Sequence, residues 1–321
     1  MADASDVPNT GVESSPPAPE PPATAPSSSY PLSSLFGRTI PFETGMANLR
    51  PLAKYKARSH ETSKTTHVPL LQSCLGPDAR PGPTVAFLGD SMIERMLTTG
   101  GSPNFPEPWP SPFLMSDEVL AEKKYKPTDR FDRVFNAGVG GDKIENLIYR
   151  LVGSEGNDDE EKNLPGLLPL LAEIGSVKVW VVHVGTNNLS PKKGMPSSYR
   201  SALHDLIAAL LSVRRKDGGP SYVIVTYLFP RQDVPMKFVR EANESVKTAS
   251  KMSQSDYGVG ISDYLEVPLE MERKAEHKDE AEFKEEIAKY LDDHVHLNVH
   301  GYRLWTPRLY GHIKWYMEGK S

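Results

Sequence analysis

Four short segments of this chain carry residue types that could do chemistry, and each follows an apolar run or closes the chain's last patterned stretch. In the first, Val85-Ala86-Phe87-Leu88 runs into Gly89-Asp90-Ser91, so a serine is presented before a helix-like segment, Met92 to Leu97. A hydroxyl at the carboxyl end of a strand stands where open α/β sheets place their sites. Gly-Asp-Ser alone is also ordinary turn and N-cap chemistry. The second segment is Asn136-Ala137-Gly138-Val139-Gly140-Gly141-Asp142, whose glycines let a backbone N–H point into a site. It is no dinucleotide fingerprint, because Lys143 stands where the last glycine would be needed. The third, Gly185-Thr186-Asn187-Asn188, offers a carboxamide donor after another strand, although an Asx-turn is the plainer reading of Asn187.

The fourth segment, Asp293-His294-Val295-His296-Leu297-Asn298-Val299-His300-Gly301-Tyr302, puts a carboxylate three residues before a histidine. On one turn Asp293 can accept from one ring nitrogen of His296 while the other faces a hydroxyl. A nucleophile, a base, a group that orients the base, and two N–H donors are the parts of acyl transfer with an oxyanion hole. The same segment with His294, His300 and Asp292 admits a rival metal site, though no HExxH-like spacing fixes three ligands. His183, inside an apolar run, reads as a hydrogen-bonded core histidine.

These segments need elements to position them. Strand-length apolar runs at Thr84 to Leu88, Arg133 to Ala137, Val177 to Val184, Tyr222 to Leu228 and Val259 to Ser262 alternate with helical patterns. Ile144, Leu147, Ile148 and Leu151 recur at helical spacing, as do Leu203, Leu206, Ile207, Leu210 and Leu211, and then Phe238, Ala242, Val246 and Ala249. The alternation predicts an α/β fold with a parallel sheet. Residues 266–293 are rich in charge; Glu280/Lys284 and Glu285/Lys289 at i,i+4 and the stripe Phe283/Ile287 predict a solvated surface helix, whose position before the histidine segment would also suit a lid.

Composition bounds the rest. The formal charge of −5 over 321 residues gives no general attraction to nucleic acid. No run of 18 apolar residues predicts a membrane span, and the start lacks a secretory leader's basic and apolar regions. The single cysteine, Cys74, excludes an intrachain disulfide and fits a reducing, cytoplasmic setting. Six prolines among residues 14–29, with no large apolar side chain, predict a disordered tail over 1–50, followed by a linker and leading helix over 51–82 and the main domain over 83–321.

Taken together, GDSM, NxGxGGD, VGTNN and DxxHL, in this order, resemble the four blocks of the SGNH hydrolases, or GDSL esterases, and most of all the catalytic subunits of intracellular platelet-activating-factor acetylhydrolase Ib. The similarity covers about residues 80–315. It implies a three-layer α/β/α sandwich of flavodoxin-like type around a five-stranded parallel sheet, with no metal and no cofactor. By position it implies Ser91 as nucleophile, His296 as base and Asp293 as its orienting partner, with Ser91 N–H, Gly141 N–H and Asn187 as oxyanion donors. Met92, Thr186 and Val295 would wall a small acyl pocket, suiting acyl chains of about two to four carbons. The implied substrate is a small ester, and a homodimer or a regulatory subunit is implied as partner. Deacetylation of a carbohydrate or acyl transfer on the same site is the rival activity; a scaffold that retains only the fold is the rival from another class. The segment from Thr98 to Thr128 and the charged stretch before Asp293 are longer than in the acetylhydrolase subunits, which leaves the natural ester open.

Overall fold

The computed structural model describes residues 40–97, 131, 133–154, 163–257, 262–267 and 279–319. The Pro-rich residues 14–29 and the whole of Thr98–Thr128 lie outside them.

Five strands, β1 (Val85–Gly89), β2 (Val134–Gly138), β3 (Val179–His183), β4 (Tyr222–Thr226) and β5 (Ser262–Leu265), form one sheet in the order β2-β1-β3-β4-β5. Every pair is parallel. All five residues of β1, β3 and β4 are buried. Successive side chains on a strand point to opposite faces, so this pattern requires cover on both, and helices supply it.

Around the sheet run α1 (Phe42–Leu49), α2 (Ala57–Thr62), α3 (Val68–Gln72), α4 (Ser91–Glu94), α5 (Ile144–Val152), α6 (Leu167–Ile174), α7 (Ser198–Ser212), α8 (Met236–Tyr257), α9 (Glu280–Ala288) and α10 (Val299–Met317). The outcome is the expected three-layer α/β/α sandwich. The stripes of α5 and α7 are buried as their spacing predicted, with Leu147, Ile148, Leu151, Leu203, Leu206, Ile207 and Leu210 fully enclosed. In α8 the enclosed stripe is Val239, Ala242, Val246 and Ala249, while Phe238 is only half-buried and packs beside Gly194. The predicted surface helix is α9, capped by Asp279 and anchored through Phe283 and Ile287. Its observed ion pair is Glu286–Lys289, one residue away from a predicted pair.

Three expectations shift. The fifth strand is Ser262–Leu265, not Val259–Ser262, because α8 extends to Tyr257 and the buried alternation is Leu265 and Val267; Val259 to Ile261 lie outside the described residues. The fourth strand stops at Thr226, since the backbone N–H of Leu228 turns away to the Asn243 side chain at 2.8 Å. Finally, within the tail predicted over 1–50, Phe42–Leu49 is a helix whose Met46 and Leu49 are buried in the main core, and residues 1–39 lie outside the described residues. The low apolar content of the preceding segment concealed this. The leading helix is two pieces, α2 and α3, joined by a wide turn at Ser63–His67.

The register aligns the carboxyl ends of three strands, with Gly89 opposite both Gly138 and His183. The chain leaves β1 for β2 on one side and later returns to β3 on the other, so a crevice opens at the carboxyl edge where order reverses. Ser91 follows β1 there, and Thr186-Asn187 follows β3. At Gly138 a side chain would strike the α4 backbone, its Cβ falling 2.1 Å from Glu94 N, so only glycine lets α4 settle on β2.

Because α1 is part of the core, Met46→Ala or Leu49→Ala should each lower stability by roughly 2–5 kcal/mol. Urea unfolding monitored by circular dichroism reads this directly. An unchanged midpoint in both variants would show that α1 does not contribute.

Candidate active site

Asp90 and Ser91 stand at the turn from β1 into α4. Asp90 is the N-cap, its Oδ1 accepting from Met92 N–H at 3.0 Å, and Ser91 is the first helical residue. Position N1 leaves the serine N–H without an intrahelical acceptor. Ile93 and Glu94 N–H close the turn on the Asp90 carbonyl. From α10, Tyr302 donates its hydroxyl hydrogen to the Met92 carbonyl at 2.8 Å, which fixes α4 against the C-terminal helix.

Opposite this turn, residues 291–297 form a tight loop between α9 and α10. A bridge pairs Leu291 with Leu297, and Asp292 N–H donates to the His296 carbonyl at 2.7 Å. Asn298 locks the loop: its Oδ1 caps α10 through Gly301 N–H, and its Nδ2 donates to the carbonyls of Lys289 and Leu291. Within the loop, Asp293 Oδ1 accepts from the N–H groups of Val295 and His296 at 2.7 and 2.8 Å. Its Oδ2 lies 2.7 Å from His296 Nδ1, and His296 Nε2 lies 2.9 Å from Ser91 Oγ. With the carboxylate ionised, Nδ1 carries the hydrogen and donates it, leaving Nε2 to accept from the serine hydroxyl. Partial burial pushes the Asp293 pKa up, but the His296 ring and the two N–H donors outweigh it and hold it at about 2. Asp293 is therefore an anion at neutral pH.

The glycine segment after β2 is a β-turn closed by Asp142 N–H on the Val139 carbonyl at 3.1 Å. Gly141, third in the turn, has φ +77°, the left-handed value that marks a type II turn and favours glycine. Asp142 itself is fully buried. It pairs with Arg150 Nε at 2.9 Å, and Ser59 donates to its other oxygen. Arg150, also fully buried, donates Nη1 to the Ala137 carbonyl at 2.8 Å and Nη2 to the Gly89 carbonyl at 3.1 Å. One guanidinium thus ties the ends of β1 and β2 to the turn.

After β3, Asn187 donates Nδ2 to the Asp142 carbonyl at 3.0 Å and keeps a second amide hydrogen. Asn188 points elsewhere: its Oδ1 accepts from Ile144 N–H and its Nδ2 donates to Glu145, so it anchors the start of α5. Arg231 fastens this loop by donating to the Thr186 carbonyl at 2.6 Å while paired with Asp233.

The structure thus joins Ser91, His296 and Asp293 by direct hydrogen bonds, and links Asn187 to the Gly140-Gly141-Asp142 turn. Met92, Thr186 and Val295 are all buried, at 0, 2 and 8 % exposure. The histidine-rich segment is dispersed: His300 stacks on Tyr290, Asp292 lies 3.5 Å from Arg95, and His294 faces solvent. Among the described residues no three His, Cys, Asp or Glu side chains gather as metal ligands. His183 is enclosed, bonded to Thr226 Oγ1 at 2.6 Å, and burial holds its pKa down at about 3, so it is neutral.

Arg150, Arg231, Glu94, Lys56 and Asn298 act on this site yet were not singled out from the sequence. Arg150 alone left a trace, since it follows Leu147 by three residues and so borders an otherwise apolar stripe. For the others, nothing in the neighbouring residues distinguishes a solvated side chain from a bonded one.

No family profile matches the sequence, and no curated protein matches it. Solved structures with a similar course of the backbone include a lipase/acylhydrolase from Enterococcus faecalis, 15% identical over 72% of this chain and 95% of that one, TM-score 0.40. An acetylxylan esterase from Geobacillus stearothermophilus is 15% identical over 73% and 95%, TM-score 0.45. A carbohydrate acetylesterase family member from Sinorhizobium meliloti is 15% identical over 74% and 99%, TM-score 0.41. The chemistry of this chain is read from its own side chains.

Asp90 is the second carboxyl of the site, and its surroundings act the opposite way. Burial, reinforced by Asp142, pushes its pKa up to about 7 against the pull of Met92 N–H and Arg231. Folding then takes up a proton between the ordinary value near 3.8 and about 7, so stability falls as pH rises across that window and levels off above it. Asp90→Asn keeps an acceptor for Met92 N–H and removes the charge. It should be more stable than wild type at pH 8 and no more stable at pH 4, read from urea midpoints; the same difference at both would show that this carboxyl does not titrate in the window.

Proposed function

We propose that this chain is a serine ester hydrolase of the SGNH type, with Ser91, His296 and Asp293 as its triad. The observation that carries this reading is the unbroken hydrogen-bonded line from Asp293 through His296 to the Ser91 hydroxyl, with distances of 2.7 and 2.9 Å. A neutral imidazole whose far nitrogen is held by a carboxylate and whose near nitrogen accepts from a serine is a general base in position.

His296 Nε2 takes the proton as Ser91 Oγ attacks an ester carbonyl, and returns it to the departing alcohol. Water then attacks the acyl-serine with the same histidine as base, releasing the acid and restoring the serine. Negative charge grows on the carbonyl oxygen in both steps. Ser91 N–H at the first position of α4, Gly141 N–H in its turn and the second hydrogen of Asn187 are the donors assigned to it. Met92, Thr186 and Val295 are assigned to the acyl pocket by their positions beside Ser91, Asn187 and His296, and residues of this size suit a short acyl group of about two to four carbons.

A fluorophosphonate probe should label Ser91 in the purified protein, and p-nitrophenyl acetate or butyrate should be turned over faster than long-chain esters. Ser91→Ala and His296→Ala should each remove most turnover without unfolding, and the double variant should be no worse than either, because the pair acts as a unit. Near wild-type turnover in Ser91→Ala would sink the assignment. Including acetylated sugars in the panel separates carbohydrate deacetylation, and an unlabelled serine with no turnover would favour a scaffold.

The two adjacent asparagines should part company. Asn187→Ala should lower kcat by roughly a hundred- to a thousand-fold with a smaller change in KM. Asn188→Ala should mainly lower stability, since it leaves Ile144 N–H without its acceptor and removes one of the donors to Glu145, which keeps Lys54. Equal kcat losses in both variants would deny Asn187 its separate role.

A further inference from the structure

The N-terminal arm that precedes the four motif segments reaches the glycine turn with three side chains. Lys56 Nζ donates to the Gly140 carbonyl at 3.0 Å and to Asp142 Oδ1 at 3.3 Å. Ser59 donates to the same Asp142 oxygen. Arg58 pairs with Glu94 at 2.9 Å, and Glu94 Oε2 accepts from Gly140 N–H at 2.9 Å.

The Gly140 carbonyl and the Gly141 N–H belong to one peptide unit. A trans peptide is planar, with its oxygen and hydrogen on opposite sides, so whatever holds the oxygen sets where the hydrogen points. This unit is the central peptide of the Val139–Asp142 turn. Type I and type II turns differ chiefly by a flip of that peptide, and with glycine on both sides side chains do little to oppose it. Gly141 at φ +77° records the type II state. A flip would move the Gly140 oxygen away from Lys56 and turn the Gly141 N–H from the direction it now takes.

We infer that Lys56 is a positioning residue for the oxyanion donor, its ammonium holding the Gly140–Gly141 peptide so that Gly141 N–H stays aimed at the site. The inference rests on the esterase reading for its catalytic consequence and on geometry alone for the peptide. A cation on the carbonyl also polarises the amide, making its N–H a better donor. Lys56 is well suited to the task because it is only partly exposed, at 31 %, while its second partner, Asp142, is fixed by Arg150 and Ser59. Those two partners remain when Lys56 is removed, so the buried carboxylate is not orphaned and the fold should survive.

The test compares Lys56→Met, which keeps the length of the stem, with Lys56→Arg, which keeps the charge. In [15N]glycine-labelled protein, the Gly141 amide should shift and broaden in Lys56→Met and return toward wild type in Lys56→Arg. With p-nitrophenyl acetate, kcat should fall about 10- to 100-fold in Lys56→Met with KM little changed, less than or equal to the loss of a whole donor. Lys56→Arg should recover most of that loss, and melting temperatures should stay close. An unchanged Gly141 resonance in Lys56→Met overturns the inference, as does a kcat within twofold of wild type, or a Lys56→Arg variant as impaired as Lys56→Met. If wild type shows no Ser91-dependent turnover, the esterase reading fails, and the Gly141 resonance still decides whether Lys56 holds the peptide.

Discussion

The site depends on one buried ion pair, Asp142 with Arg150. Both side chains are wholly enclosed, and neither would be tolerated there alone, because an unpaired buried charge costs several kcal/mol. What makes the pair useful is how its remaining valences are spent. Arg150 has donors left over, and they go to the carbonyls that end β1 and β2. Asp142 also accepts from Ser59 and Lys56 through one oxygen, while its backbone carbonyl holds Asn187. Three loops that would otherwise move independently are thus coupled through a single centre. Such a pair adds little to net stability against an apolar alternative; its contribution here is geometric.

A second fastening works from the far end of the chain. Ser91 and His296 are 205 residues apart, and the short loop between α9 and α10 must hold the ring in place across that gap. It does so with local bonds, namely the Leu291–Leu297 bridge, the Asp293 carboxylate turned back on its own following N–H groups, and Asn298 capping α10. Tyr302, one turn into α10, then binds the Met92 carbonyl. The loop is therefore registered against the helix that begins at Ser91 rather than merely against the sheet.

This division explains what could be read from the sequence. Apolar spacing exposed the central helices and most of the strands, because burial leaves a periodic trace; every residue of the predicted stripes of α5 and α7 is buried. Motif spacing brought Ser91, Asp293 and His296 forward, since local turns fix their chemistry. The fifth strand was displaced and α1 went unseen because both are short and anchored by only a few buried side chains, Leu265 and Val267 in one case, Met46 and Leu49 in the other. Arg150, Arg231, Glu94 and Lys56 were illegible for a different reason. Their partners lie on other elements, and a charged residue's sequence neighbours say nothing about a carbonyl brought near by folding.

The two carboxyls near Ser91, Asp90 and Asp293, then make electrostatic sense together. Asp293 is held low by its donors, at about 2, and places a fixed negative charge behind His296, which in the proposed mechanism would stabilise the ring as it takes up the serine proton. Asp90, directly before Ser91 and cut off from water, is held high, at about 7. In the proposed mechanism an ionised carboxylate there would oppose negative charge growing near Ser91, and the raised pKa reduces that charge. Two residues of one type are pushed in opposite directions by burial on one side and by hydrogen-bond donors on the other. Anionic charge is thereby kept beside His296 and limited at the buried carboxyl that precedes Ser91.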